Sequence, residues 1–131
     1  MESILQEIDR AAKAGMFYVA VAMTLTLPDM CAALEAVDGR TSNEKYRAWC
    51  DIWLRPIYPN ISSADFYSMR CGIIHQGSLG LTGRGISRVL FTIPDYKGNF
   101  IHNNIFKTGN DTALNLDASR FCQDVAEAVR K

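Results

Sequence analysis

The segment MFYVAVAMTLTLPDMCAALEAV, running from Met16 to Val37, constrains this chain more than any other stretch. It is apolar on nearly every helical face, so a helix formed here has no side to offer water and must be surrounded. Two surroundings would serve, lipid or other helices. A bilayer span needs about 20 apolar residues, which the segment supplies. Pro28, Asp29 and Glu35 interrupt it, however, and no basic cluster flanks either end. A carboxylate inside a lone span is costly, so the segment is expected to be the central helix of a protein core. Proline removes a backbone donor and clashes with the preceding turn, which predicts a kink near Thr24 to Pro28.

Such a helix needs partners, and the sequence supplies them. Ser3 to about Ala14 carries an S-x-x-Q capping pattern, Ser3 to Gln6, followed by one apolar face of Ile4, Leu5, Ile8, Ala11 and Ala12, with Gly15 suited to the end. Thr41 to Glu44 reads as a second capping box opening SNEKYRAWCDIWL, in which Tyr46, Trp49 and Trp53 recur at helical spacing and form a core stripe. Pro56 and Pro59 close that helix. Ser62 or Ser63 then caps ADFYSMRCGIIHQ, ending at Gly77.

Beyond that point the pattern changes. Gly77, Gly80, Gly83 and Gly85 lie in a glycine-rich loop that lacks the G-K-[ST] ending of a phosphate cradle. ISRVLFTI and NFIHNNIF then alternate in a period of two, with PDYKGN between them as turn chemistry, so they are expected to pair as a β-hairpin. TALNL offers a short third strand before Asp117 caps ASRFCQDVAEAVRK, whose Phe121, Cys122, Val125 and Val129 face inward. The expected architecture is mainly α: one domain over 1–131, a bundle of about five helices with a core at about 1–77 and 117–131. A loop and small β-hairpin at about 78–116 would be inserted before the C-terminal helix.

Composition narrows the function classes. With 131 residues, 48% hydrophobic and 21% charged, the chain matches one folded domain. Its 14 basic and 14 acidic residues cancel, which argues against nucleic-acid binding by bulk charge. A local polyanion-binding face around Arg70, Arg84, Arg88, Lys97 and Lys107 is permitted and not demanded. Cys31, Cys50, Cys71 and Cys122 form no C-x-x-C pair and each falls in an expected helix. That pattern implies neither a metal site nor a disulfide framework, and it points to a reducing cytoplasm. The start, MESILQEIDRAAKAG, lacks the basic n-region of an export signal.

Few ionisable residues sit in the apolar helices, so the candidates for chemistry are limited. His102 stands beside Asn103 and Asn104 in an expected hairpin strand, where a surface or turn-stabilising role is the default. His75 is the stronger candidate. It falls in the last turn of its helix, where the negative end of the dipole favours a protonated imidazole, a group suited to acid-base work near neutral pH. Arg70 lies in an otherwise buried composition, FYSMRCGII, so it must have a partner: an anion in a cleft, or a neighbouring carboxylate, Asp29 first. Residues five apart on a regular helix are rotated by roughly 140° in projection. Arg70 and His75 therefore converge only if the helix loosens or a second subunit completes the site.

Arg70 to His75, RCGIIH, resembles the R-x4-6-H signature of the HEPN superfamily, and the helix order is similar, with the motif late in a core helix. That resemblance implies a metal-independent RNA-cutting enzyme of a defence or toxin-antitoxin system, working as a homodimer without a cofactor. Arg70 would stabilise phosphate charge, and His75 would assist proton transfer as a ribose 2′-hydroxyl attacks the adjacent phosphate. Active members frequently place a polar residue after the arginine, where this chain has Cys71. Several branches look non-catalytic, so two readings follow. One is a ribonuclease acting through Arg70 and His75, with RNA and an antitoxin or other protein as partners. The other is a helical dimerisation or binding module, with Arg70 paired to Asp29 and His75 capping its helix.

Overall fold

The computed structural model describes residues 1–76, 88–93, 102–109 and 111–131, the side chains of 74–76, Arg88 and Thr108 excepted. Five helices and three strands follow in the order α1 (Glu2–Lys13), α2 (Phe17–Glu35), α3 (Asn43–Trp53), α4 (Ser63–Gln76), β1 (Arg88–Thr92), β2 (Asn104–Thr108), β3 (Asp111–Asp117) and α5 (Ala118–Val129).

The apolar second segment does become the central helix. Although α2 is long and apolar enough to cross a membrane by length and composition, it packs against α1, α3, α4 and α5. Ala20, Val21, Leu25 and Leu27 are buried among them. The helix runs unbroken through Pro28. Proline cannot donate to the carbonyl one turn back, and in that turn the Tyr46 hydroxyl donates to the Leu25 carbonyl at 2.8 Å. Tyr46 and Trp49 are buried and Trp53 packs partly buried against them, so the aromatic stripe of α3 is core. On α1 the expected apolar face holds, with Leu5, Ile8, Ala11 and Ala12 buried.

Capping follows the same short-range logic with two shifts. Ser42, rather than Thr41, caps α3 by accepting from the Lys45 amide. Thr41 turns its hydroxyl elsewhere. Ser3 lies inside α1, whose N-cap is Met1. Ser62 opens α4 with a reciprocal box: its hydroxyl accepts from the Asp65 amide at 3.1 Å, and the Asp65 carboxylate accepts from the Ser62 amide at 3.4 Å. Asp117 caps α5 through the Arg120 amide at 2.8 Å.

The expected helical bundle with a hairpin insertion is not what forms. The strands make a three-stranded mixed sheet in the order β1-β3-β2. β1 runs parallel to β3, with Val89 opposite Leu114, and β2 runs antiparallel to it, with Ile105 opposite Leu114. The two segments expected to pair with each other are thus separated by the third. The actual hairpin is β2–β3, closed by Thr108 and Asp111 across a two-residue connection in which Gly109 has φ +60°. Such a connection demands positive φ, which glycine supplies. Burial explains why β3 takes the centre. From Ala113 to Asp117 it is buried on both faces, so neither edge can be left to water. Leu114, Leu116 and Val89 join the helical residues in one core cluster, which makes the sheet part of the core rather than an appendage. The glycine-rich loop expected at 77–85 lies outside the described residues.

Candidate functional site

Arg70 sits on the side of α4 that meets α2. Its Nε donates to Asp29 Oδ2 at 2.7 Å, and the two side chains are 23% and 13% exposed. Asp29 is fixed from the other side by the Thr41 hydroxyl, which donates to its Oδ1 at 3.1 Å. The guanidinium carbon lies 5.9 Å from the centre of the Tyr67 ring, a cation–π distance. Among the described residues the remaining polar contact of the guanidinium is a long one, Nη1 to Cys71 Sγ at 3.9 Å. Partial burial disfavours the charge, and the hydrogen bond to Asp29 with its carboxylate more than offsets that, so the arginine pKa is raised. The arginine is therefore held side-on, with Nε committed to Asp29 and the Nη edge not bonded to that carboxylate.

His75 is placed in the last turn of α4, and its side chain lies outside the described residues. α4 stays α-helical through Gln76, so the positions of Arg70 and His75 remain roughly 140° apart around the axis. Within one chain, helix geometry does not turn them to a common face. Of the basic residues expected to form a polyanion-binding face, Arg70 is held as above and Lys107 is exposed on β2. Arg84, Lys97 and the side chain of Arg88 lie outside the described residues.

The second histidine is not the surface residue that its polar neighbours suggest. His102 is 12% exposed and stands in a polar network with Tyr58, Asp117, Arg120 and Asp124. The Asp117 amide donates to His102 Nδ1 at 3.1 Å. A backbone N–H can only donate, so Nδ1 accepts and the ring carries its proton on Nε2. Nε2 faces the Tyr58 hydroxyl at 3.2 Å and Asp124 Oδ2 at 3.4 Å. The Tyr58 hydroxyl itself donates to Asp124 Oδ2 at 2.7 Å, and Arg120 Nε donates to Asp124 Oδ1 at 2.8 Å. Burial, then the Asp124 hydrogen bond, push the Tyr58 phenol far above its ordinary range. Next in the chain, Asn103 adopts φ +55° and donates from Nδ2 to the Ile57 carbonyl at 3.3 Å. The network ties the start of β2 to the α3–α4 connection and to the first two turns of α5. Tyr58 is fully buried, so this arrangement is a clasp of the fold rather than a place for a substrate. Sequence reading missed it because its members are far apart in the chain. The available signal was Asp124 on the apolar face of α5, a carboxylate that burial obliges to find donors.

Among the described residues no group of three or more His, Cys, Asp or Glu side chains converges to hold a metal ion. All four cysteines are free. Compared with family models, characterised proteins and solved structures, the chain finds no match.

Proposed function

We propose that the chain is a HEPN-like, metal-independent endoribonuclease of a defence or toxin type, cytoplasmic and active as a homodimer. Arg70 serves as the charge stabiliser and His75 as the acid-base group. The observation that carries this reading is the state of Arg70. It is a partly exposed arginine whose contact to Asp29 is made through Nε, in the helix whose last turn holds His75. An arginine held in that way presents a preorganised donor edge to a phosphodiester oxygen, the electrostatic contribution that phosphoryl chemistry requires. Because one chain sets Arg70 and His75 on different sides of α4, two copies facing across a cleft would supply the arginine of one and the histidine of the other.

The test is cleavage of single-stranded RNA by the purified protein. His75→Ala should abolish cleavage while leaving the thermal midpoint nearly unchanged. Equal cleavage by variant and wild type would sink the reading.

The same ion pair favours a second reading. Asp29, with Thr41 on one oxygen and Arg70 on the other, braces α2 against α4 and the α2–α3 connection. That arrangement suits a non-catalytic dimerisation or binding module. Under it, wild-type protein forms dimers and cuts no RNA.

A further inference from the structure

Arg70 meets its carboxylate partner through one nitrogen, Nε, and that carboxylate is itself oriented. Thr41 Oγ donates to Asp29 Oδ1 at 3.1 Å while Asp29 Oδ2 accepts from Arg70 at 2.7 Å. A lone carboxylate can rotate about its terminal torsion and take either nitrogen edge of a guanidinium. With one oxygen claimed by Thr41, the rotation is limited and the side-on geometry is selected. Thr41 is free to do this because Ser42, not Thr41, caps α3. The Tyr67 ring supports the guanidinium carbon at 5.9 Å. Neither Nη nitrogen is hydrogen-bonded to Asp29, and Nη1 makes only a long contact to Cys71 Sγ at 3.9 Å.

We infer that Thr41 and Asp29 are positioning residues which aim the Nη edge of Arg70 at an oxyanion of the phosphodiester class, making a two-pronged phosphate site on α4. The inference deepens the ribonuclease reading and rests on it for the identity of the anion. Thr41 touches no ligand; its effect passes through Asp29 to Arg70.

The experiment uses the full chain and a labelled oligoribonucleotide blocked by 2′-O-methyl groups, which cannot be cut, with binding followed by fluorescence anisotropy. Cleavage of the matching unmodified RNA is measured in parallel. Thr41→Val should weaken binding roughly threefold to tenfold, the span expected for one hydrogen bond, and lower the thermal midpoint by no more than one such bond accounts for, leaving the protein fully folded at the assay temperature. Thr41→Ser should restore it. In an Arg70→Ala background Thr41→Val should have no further effect, which a general structural role would not produce. A Thr41→Val protein that binds like wild type overturns the inference. So does an effect of Thr41→Val that persists without Arg70, or the absence of any Arg70-dependent binding. His75-dependent cleavage with Thr41→Val silent would leave the ribonuclease reading standing and this inference fallen. Arg70- and Thr41-dependent binding without cleavage by wild type would do the reverse.

Discussion

Arg70 Nε and Asp29 Oδ2 meet at 2.7 Å between α4 and α2, and neither side chain is more than about a quarter exposed, at 23% and 13%. Removing the arginine leaves a mostly buried carboxylate with Thr41 as its remaining partner. We expect Arg70→Ala to destabilise the fold by about 1–3 kcal/mol, the cost of stranding a buried polar group. That lies below the roughly 3–5 kcal/mol of breaking a fully buried pair, because water still reaches the site. Urea unfolding at pH 7 measures it. A stable Arg70→Ala protein would show that the pair orients without bracing.

The Tyr58 hydroxyl, His102 and Asp124 form a closed triangle of polar contacts, at 2.7, 3.2 and 3.4 Å. Groups that share partners do not contribute independently. Tyr58→Phe and His102→Gln should each cost about 1–2 kcal/mol. The double variant should cost clearly less than their sum, since either change already breaks the triangle. A double-mutant cycle by chemical denaturation gives the coupling. Strict additivity would show that the two side chains act separately.

Much of this architecture was legible from local pattern. The face of α1, the central placement of α2, the core stripe of α3 and the Asp117 cap all follow from spacing and capping chemistry. Asp29 as the partner of Arg70 followed from the cost of an unpaired charge. Strand pairing was not legible in the same way. A period of two identifies a strand but does not say which neighbour it takes. The hairpin that forms is closed by the short connection between Thr108 and Asp111, and PDYKGN lies outside the described residues. The His102 network was hidden for a related reason. His102, Tyr58 and Asp124 converge only after β3 has set the start of β2 beside α5, and no window of sequence contains all three.

Alkaline pH should destabilise the protein. Burial holds the Cys122 thiol up at about 11, against an ordinary value of 9.0. It also pushes Cys50, Tyr46 and Tyr58 upward. As pH rises past the ordinary thiol value, the unfolded chain releases protons that the native state still holds. The unfolded state then binds fewer protons, and the linkage slope is negative. Stability is fully present below about pH 9 and falls through the window up to 11 and beyond. Thermal midpoints measured from pH 8 to 11 check the sign. A Cys122→Ala variant should show a shallower decline, and a midpoint that rises over this range in wild type would contradict it.

Thiol chemistry can report on the candidate site directly. Cys31, Cys50 and Cys122 are buried, whereas Cys71 is partly exposed and lies 3.9 Å from Arg70 Nη1. Reaction of a thiol requires access of the reagent to the sulfur, so the native protein should show one fast-reacting cysteine, with the other three responding only to denaturant. Ellman's reagent followed by peptide mass spectrometry identifies it, and Cys71→Ser should remove the fast phase. Because Cys71 adjoins the guanidinium, a bulky adduct there should also block the Nη edge of Arg70. Labelled protein should then lose oligonucleotide binding in proportion to Cys71 modification, and Cys71→Ser should be immune to the reagent. Full binding by fully labelled protein would place the anion elsewhere on the surface. A fast phase of two or more thiols would mean that the helical core opens on the timescale of labelling.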